Sequence, residues 1–252
     1  MKKLIYSLLA IASLGITACE KDAVTLIGDA NSSVAFIYAA PAAPTADIVI
    51  DGLVSNGSRR LTYDLRTSLG GGGGNGGAYI PLLNGSRNIK ISTDSGRTSL
   101  VDANWAFLAN KSYTVAVYDT LPISGTQTLR SVQLTDDLTP PTGTNVHVRF
   151  LHLAPLAPAV DLTLLRTAPA LDSVTLTNRT YLGATPNATT LSTFAPIPGG
   201  TAYTLRVKLA GTQTVVATFN LGTNLSAGRI VTLAAIGTAR GASLNAMALR
   251  HY

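Results

Sequence analysis

The stretch that decides the fold reads VAFIYAAPAAPTAD from Val34 to Asp47, and it recurs as VRFLHLAPLAPAVD from Val148 to Asp161. Seven of the fourteen positions are identical at an offset of 114 residues. Each copy begins with an apolar run whose side chains alternate, which is typical of a β-strand. Each copy then reaches a pair of prolines, which lack an N–H group and interrupt a strand. The stretch therefore predicts a strand followed by a corner, twice in the chain.

The similarity continues beyond this stretch. Three further blocks keep their order at offsets of 115 to 118 residues: 88–91 with 204–207, 113–116 with 231–234, and 129–134 with 244–249. Since chance similarity would not keep the order of the blocks, we interpret the chain as one module present twice.

Short β-branched runs, separated by Gly, Asn, Ser and Pro, fill both copies, and no segment shows a convincing helical period. The runs are Asp47–Ile50, Asn88–Ser92, Tyr113–Tyr118, Tyr203–Leu209, Val215–Phe219 and Ile230–Ile236. We predict an all-β chain: two tandem Ig-like (transthyretin-like) antiparallel β-sandwich domains after a lipoprotein signal peptide. The expected segments are a signal peptide (1–18), a lipidated tether (19–32), module 1 (33–137), a Pro-rich linker (138–144) and module 2 (145–252).

The composition excludes several classes of protein. The 252 residues are 46% hydrophobic, which is enough for a core, and they include one Cys and three His. This excludes a disulfide framework and a Cys-rich zinc site. The only glutamate is Glu20, so paired catalytic carboxylates would have to come from aspartates. We expect no catalytic residue, no cofactor and no metal site.

The first nineteen residues read MKKLIYSLLAIASLGITAC. Two lysines precede an apolar run that is too short to span a bilayer comfortably, as in a secretory signal. The end of the run, Ile16 to Cys19, resembles a bacterial lipobox. That resemblance implies diacylation of Cys19 and cleavage before it, so that the membrane is a partner through a lipid anchor. The alternative is an ordinary signal peptide followed by an unmodified Cys.

The charged residues after Cys19, Glu20 to Asp22, resemble the signals that send lipoproteins of Bacteroidetes-type bacteria to the outer face of the outer membrane. The alternative is a solvated tether. We expect a lipid-anchored, surface-exposed protein of the outer membrane. The formal charge is +6, but the basic residues are scattered and the chain is exported. Nucleic acid is therefore not an expected partner, whereas an extracellular glycan or protein is.

The motif with His152, Pro155, Pro158 and Asp161 resembles the opening of the domain of unknown function 4397 family, which reads like VRVVHASPDAPAVD. The first copy has Tyr38 in place of the histidine and keeps a following Asp-Gly pair. The resemblance covers nearly all of residues 33–252. It implies an Ig-like β fold in secreted and envelope proteins and no established activity.

Seven residues are candidates for a site. The prolines Pro41, Pro44, Pro155 and Pro158 indicate corners between strands, with a ligand groove as the alternative. Asp47 and Asp161 are expected to lock these corners through hydrogen bonds to local N–H groups; calcium binding is the alternative. Trp105, expected just before a strand, is interpreted as a core or half-buried residue, with a sugar-stacking platform as the alternative.

Three other features carry weaker hypotheses. Tyr38 and His152 share an apolar ring with a polar tip, so packing explains the pair. Gly70–Gly77 is interpreted as a flexible insertion that could contact a partner. The triplets at Asp119 and Asp172 resemble an O-glycosylation motif.

The expected function is that of a non-catalytic cell-envelope lipoprotein that presents two β-sandwich modules for binding or adhesion. The alternatives are a structural or accessory subunit of an outer-membrane complex and a carbohydrate-binding accessory protein.

Overall fold

The computed structural model describes residues 31–57, 60–63, 65–66, 79–120, 129–168, 171–237 and 244–251, and the described chain is almost entirely β. The strands of module 1 are β1 (Ser32–Ala39), β2 (Asp47–Ile50), β3 (Leu53–Val54), β4 (Leu65–Arg66), β5 (Ile80–Leu82), β6 (Gly85–Thr93), β7 (Thr98–Phe107), β8 (Lys111–Tyr118) and β9 (Arg130–Asp136). Those of module 2 are β10 (Asn145–His152), β11 (Val160–Ala168), β12 (Asp172–Arg179), β13 (Ala195–Pro198), β14 (Ala202–Leu209), β15 (Val215–Gly222), β16 (Ile230–Ile236) and β17 (Asn245–Arg250). One short helix, α1 (Ala188–Ser192), and two 3₁₀ turns, Asp94–Gly96 and Thr223–Leu225, complete the described elements.

Both modules are sandwiches of two sheets with the same strand order. In module 1, sheet I has the order β4-β1-β8-β9, with β5 also pairing with β1, and sheet II has the order β3-β2-β6-β7. In module 2, sheet III has the order β13-β10-β16-β17 and sheet IV the order β12-β11-β14-β15. Sheets II and IV correspond strand for strand, and β13 pairs with the start of β10 as β5 pairs with the start of β1. The short strand β4, which pairs with the end of β1, has no counterpart among the described strands of module 2.

The alternation along the first strand of each module builds the core. Val34, Phe36 and Tyr38 point between sheets I and II, where they are fully buried. Val148 and Phe150 do the same between sheets III and IV. Successive side chains of a strand point to opposite faces of its sheet. The side chains that alternate with these core residues therefore lie on the outer face of sheet I or sheet III.

The outer faces of sheets I and III pack against each other. Residues of both modules form a third apolar cluster there, which includes Ile37 of β1 and Leu151 of β10, both without exposed surface. The molecule is therefore a stack of four sheets in the order II, I, III, IV. The linker joins two modules that share a buried interface.

The strands β1 and β10 run in the same sense across this interface. Near their first residues, Asp136 of module 1 contacts Arg149 of module 2. Near their last residues, the Tyr118 hydroxyl donates a hydrogen bond to the Gly183 carbonyl at 3.0 Å. The stack therefore has two distinct ends. We call the end where β1 and β10 begin the proximal end, and the end with the proline turns the distal end.

Three local features differ from the sequence-based expectations. The pairs β1/β8 and β10/β16 are parallel, within sheets that are otherwise antiparallel. Trp105 lies inside β7, not before a strand. The helix α1 was not expected; the Asn187 side chain caps it by accepting a hydrogen bond from the Thr190 N–H at 3.1 Å.

Candidate functional site

The proline segments form matching turns at the distal end. The Ala43 N–H donates to the Ala40 carbonyl at 3.3 Å, which places Pro41 at the second position of a β-turn. Ala42, at the third position, has a φ of 59°, and its counterpart Leu156 has a φ of 62°. Proline fixes the backbone that such a turn needs at its second position. The four prolines thus lie in the connections between the first two strands of each module, and Ala42 and Leu156 at the tips of these turns are exposed.

Tyr38 and His152 hold these turns in the same way. The Tyr38 hydroxyl donates to the Pro44 carbonyl at 2.9 Å, and His152 Nε2 lies 3.1 Å from the Pro158 carbonyl. Because a carbonyl only accepts, His152 Nε2 must carry the proton and Nδ1 is left as an acceptor. Burial lowers the pKa of His152, which is consistent with a neutral ring.

A cavity of about 320 Å³ lies beside His152, at the distal end of module 2. Phe150, Tyr181 and Leu191 form part of its apolar lining, and Asn187 and Thr190 lie among its polar residues. The buried Nδ1 atom of His152 has no hydrogen-bond partner among the described residues. The Tyr181 hydroxyl, which also lines the cavity, is likewise buried without a hydrogen-bond partner in the described part of the chain, so two polar atoms beside the cavity could bind a small molecule, water included.

Asp47 and Asp161 both accept hydrogen bonds at the distal end, but not from the local N–H groups of the proline corners that the sequence led us to expect. Asp47 is buried and accepts from Arg60 Nε at 3.0 Å and from Asn56 Nδ2 at 3.4 Å, and so ties down the loop after β3. Asp161 accepts from the backbone N–H of Asn178 at 2.7 Å and from that of Gly211 at 2.9 Å. These two backbone hydrogen bonds lower the pKa of Asp161.

Trp105 is half-buried and packs against the core of module 1. Its strand register places it opposite Arg87 on the neighbouring strand β6. The position fits the half-buried interpretation better than that of a sugar platform, since part of the ring is taken up by the core.

Several predicted features fall outside the described residues or carry no distinct geometry. Cys19, the signal segment and Gly70–Gly77 lie outside the described residues. Ser173, in the second glycosylation-like triplet, is exposed on β12. In the described part of the chain, no three His, Cys, Asp or Glu side chains come together as metal ligands would. Nor does any described helix have the length and apolar character needed to cross a bilayer.

A buried polar network at the interface between the modules was not anticipated from the sequence. Asp136 of module 1 and Arg149 of module 2 form an ion pair at 2.7 Å, and their side chains are 0% and 1% exposed. Asp136 also accepts from the hydroxyls of Tyr79 and Thr114, both at 2.7 Å. On the other side, Arg149 Nε donates to the Thr232 hydroxyl at 2.7 Å.

His251 closes this network into a ring. Its Nδ1 atom lies 2.6 Å from the Tyr79 hydroxyl and its Nε2 atom 2.7 Å from the Thr232 hydroxyl. The Tyr79 hydroxyl donates a hydrogen bond to Asp136, and the Thr232 hydroxyl accepts one from Arg149. A neutral His251 with its proton on Nδ1 can therefore donate to Tyr79 and accept from Thr232. Burial lowers the pKa of His251 to about 3 and raises that of Tyr79.

The two halves of the network occupy corresponding places in the repeat. Thr114 and Thr232 fall at the same position of matching blocks, and Asp136 and His251 each lie two residues beyond the end of the last matching block. The two modules therefore contact each other through equivalent outer faces, that of sheet I in module 1 and that of sheet III in module 2. A sequence signal was present: β1, β8 and β16 are apolar on both faces, as in strands that are covered on both sides.

A cleft of about 770 Å³ opens beside the network at the proximal end of the interface. Lys111 and Asp137 of module 1 and His147 and Phe194 of module 2 are among the residues that line it. The Phe194 ring also covers the Arg149 guanidinium, whose central carbon lies 4.5 Å from the ring centroid. This contact shields the ion pair from the solvent in the cleft.

Comparison with known proteins identifies the family. No curated protein matches this chain. The family model described as "Domain of unknown function (DUF4397)" matches residues 32–163. The match covers 132 of the 252 residues, includes both copies of the proline motif and ends within β11. The chain therefore belongs to the domain of unknown function 4397 family.

Proposed function

We propose that the protein is a non-catalytic, lipid-anchored protein of the outer membrane that presents its distal end for binding or adhesion. One observation carries the proposal. The chain enters the stack at the proximal end, whereas both proline turns and the cavity beside His152 lie at the distal end. An anchor at Cys19 would leave the distal end free to meet a partner.

The interface supports the same proposal, because it fixes the two distal turns relative to each other. The buried ion pair and the hydrogen bonds around it demand a specific geometry. Two turns held at a constant separation can engage one extended partner without a further loss of conformational entropy on binding. An extracellular glycan or protein would suit such a surface.

The location is tested on intact cells. An external protease should remove the protein while a periplasmic control protein stays intact, and Cys19→Ala should abolish labelling with a radioactive fatty acid. If the protein is fully protected from the protease, surface display is wrong. If Cys19→Ala leaves the label in place, the lipid anchor is wrong.

The binding role is tested with the full chain in detergent on arrays of glycans and extracellular matrix proteins. Leu156→Asp, at the tip of a distal turn, should reduce binding to any captured ligand at least tenfold. Leu171→Asp is the matched control, because Leu171 is also an exposed loop leucine but lies at the proximal end. An equal loss in both variants would contradict a distal binding surface.

A further inference from the structure

Three strand connections at the proximal end carry strongly exposed leucines. Leu53 follows the β2–β3 turn and is 62% exposed, and Leu108 lies between β7 and β8 and is 64% exposed. Leu171 lies between β11 and β12 and is 81% exposed. The three connections belong to both modules, so the leucines span the base of the stack.

Hydrogen bonds and strand pairing place Leu53 and Leu108 at the point where the chain enters. Leu53 lines an apolar groove of about 290 Å³ together with Leu82, which pairs with Ser32 at the start of β1. Leu108 comes two residues before Asn110, whose N–H donates to the Asn31 carbonyl. Both leucines therefore lie next to the first described residues.

Leu171 is placed at the same end through module 2. The adjacent Asp172 pairs with Arg166, which donates to the Gly199 carbonyl at 3.0 Å. The Gly199 N–H in turn donates to the Thr144 carbonyl at 2.8 Å, immediately before β10 begins. Because β10 begins at the proximal end, Leu171 lies there as well.

The tether limits how far this end can be from a membrane. Asn31 follows Cys19 by only twelve residues. Even a fully extended chain of that length reaches no more than about 40 Å. The proximal end therefore stays close to any bilayer in which the lipid of Cys19 is inserted.

We propose that the proximal end rests on the lipid bilayer, with Leu53, Leu108 and Leu171 inserted at the boundary between headgroups and acyl chains. The inference rests on the lipid anchor in the proposed function. Loop-tip leucines gain from leaving water, and shallow insertion at several points adds to the hold of the acyl chains. Lys111, Arg229 and Arg250 lie at the same end, where they face anionic headgroups.

The orientation is tested with single cysteines carrying the fluorophore NBD. The thiol of Cys19 is consumed by lipidation, so Leu53→Cys, Leu108→Cys or Leu171→Cys each supplies the one reactive thiol. Leu156→Cys is the matched control, since Leu156 is a loop-tip leucine at the distal end whose exposure (62%) matches that of Leu53. The full-length lipidated variants are reconstituted into vesicles of phosphatidylethanolamine and phosphatidylglycerol, with or without brominated acyl chains.

We expect the three proximal labels to shift their emission to shorter wavelength on reconstitution and to lose at least half of it to brominated chains. The label at position 156 should show neither effect. Proximal labels that stay unquenched in floating vesicles, or a distal label quenched as strongly, would overturn the orientation alone. A protein that does not float with the vesicles would overturn the anchor as well.

Discussion

At position 38 and its counterpart 152, two different side chains contact the equivalent carbonyl of the proline turn. Tyr38 and His152 are both buried, and each reaches the carbonyl of the second proline in its turn. Burial raises the pKa of Tyr38 to about 12, so its hydroxyl stays a donor at any physiological pH. Only the histidine brings a second polar ring atom, and this Nδ1 atom has no hydrogen-bond partner among the described residues.

The proline turns carry backbone strain that glycine would relieve. An L-residue at positive φ costs about 1–2 kcal/mol, so Ala42→Gly should raise the free energy of unfolding by about 1 kcal/mol. The adjacent Ala43→Gly should lower it instead, because Ala43 packs against the core and glycine adds entropy to the unfolded chain. Urea denaturation of both variants checks the pair, and an equal change in both would contradict the strain.

Removing one charge of the Asp136–Arg149 ion pair should lower the free energy of unfolding strongly, whereas replacing both charges by apolar side chains should lower it much less. Asp136→Leu or Arg149→Leu alone leaves a buried charge unpaired, at a cost of about 3–5 kcal/mol. The double variant should recover at least half of that loss. Urea denaturation of the two single variants and the double variant gives the coupling, and additive losses would show that the two charges do not stabilise each other.

Low pH should lower the free energy of unfolding, because His251 is neutral in the folded protein and protonated in the unfolded chain. Its pKa is about 3 when folded and about 6.5 when unfolded, so between these values the unfolded chain binds one more proton. Stability should therefore fall as the pH drops from about 6.5 towards 3, by up to about 1.4 kcal/mol per pH unit from this group.

Urea denaturation at pH 7.5, 5.5 and 4.5 checks the slope. The control is His251→Gln, which keeps a polar side chain but does not titrate, so its stability should change less over this range. Identical pH dependence in the variant and the original protein would contradict the assignment to His251.

At the scale of elements, one glycine decides whether three segments can meet. A Cβ at Gly199 would lie 2.6 Å from the Ala227 backbone and 2.6 Å from the Thr144 carbonyl oxygen. Gly199 thus lets the β13–β14 turn, the β15–β16 turn and the end of the linker pack together. Glycine is required at position 199 because the backbones of these segments approach each other too closely for a side chain.

Gly199→Ala should therefore cost about 3 kcal/mol, since neither neighbour is a flexible side chain. Gly143→Ala is the control: its added Cβ meets nothing within 4 Å, and only its positive φ of 63° opposes the change, at about 1 kcal/mol. Thermal unfolding monitored by circular dichroism compares the two variants. A smaller loss at Gly199 than at Gly143 would contradict the close approach.

The elements themselves were predictable where β-branched residues dominate. The strands Asp47–Ile50 and Ile230–Ile236 appear with the predicted bounds. The strands β7, β9, β11, β12 and β17 were not among the predicted runs. In β7 and β12 the Thr, Ser and Asn side chains are also typical of loops. A helix of five residues such as α1 is too short to show a period.

At the scale of the whole molecule, the shared interface should make the two modules unfold together. We expect a single calorimetric transition for the full chain. Leu151→Asp places a charge in the apolar contact between sheets I and III and should separate this into two transitions. Thr218→Asp, on an exposed position of β15, is the control and should keep one. Two transitions in the original protein would mean that the interface does not couple the modules.

The candidate site was predictable only in part. The prolines lie in the strand connections that the motif indicates, because turn chemistry is local in sequence. Asp47 was expected to accept from local N–H groups, but its partners are the side chains of Asn56 and Arg60, 9 and 13 residues away. The partners of Asp161 lie 17 and 50 residues away, and those of Asp136 come from both modules. Such contacts depend on which faces of two sheets meet.

The sequence by itself determined the fold class, and it indicated the repeat and the proline corners, because alternation and turn residues are properties of neighbouring positions and a repeat is visible by comparing two stretches of sequence. Only the tertiary structure decided that sheets I and III meet face to face, that Asp136, Arg149 and His251 share one buried network, and that the proximal and distal ends are distinct. The apolar outer face of β1 could have been covered in several ways. Which surface covered it depended on packing between modules, and no pattern within one module encodes that choice.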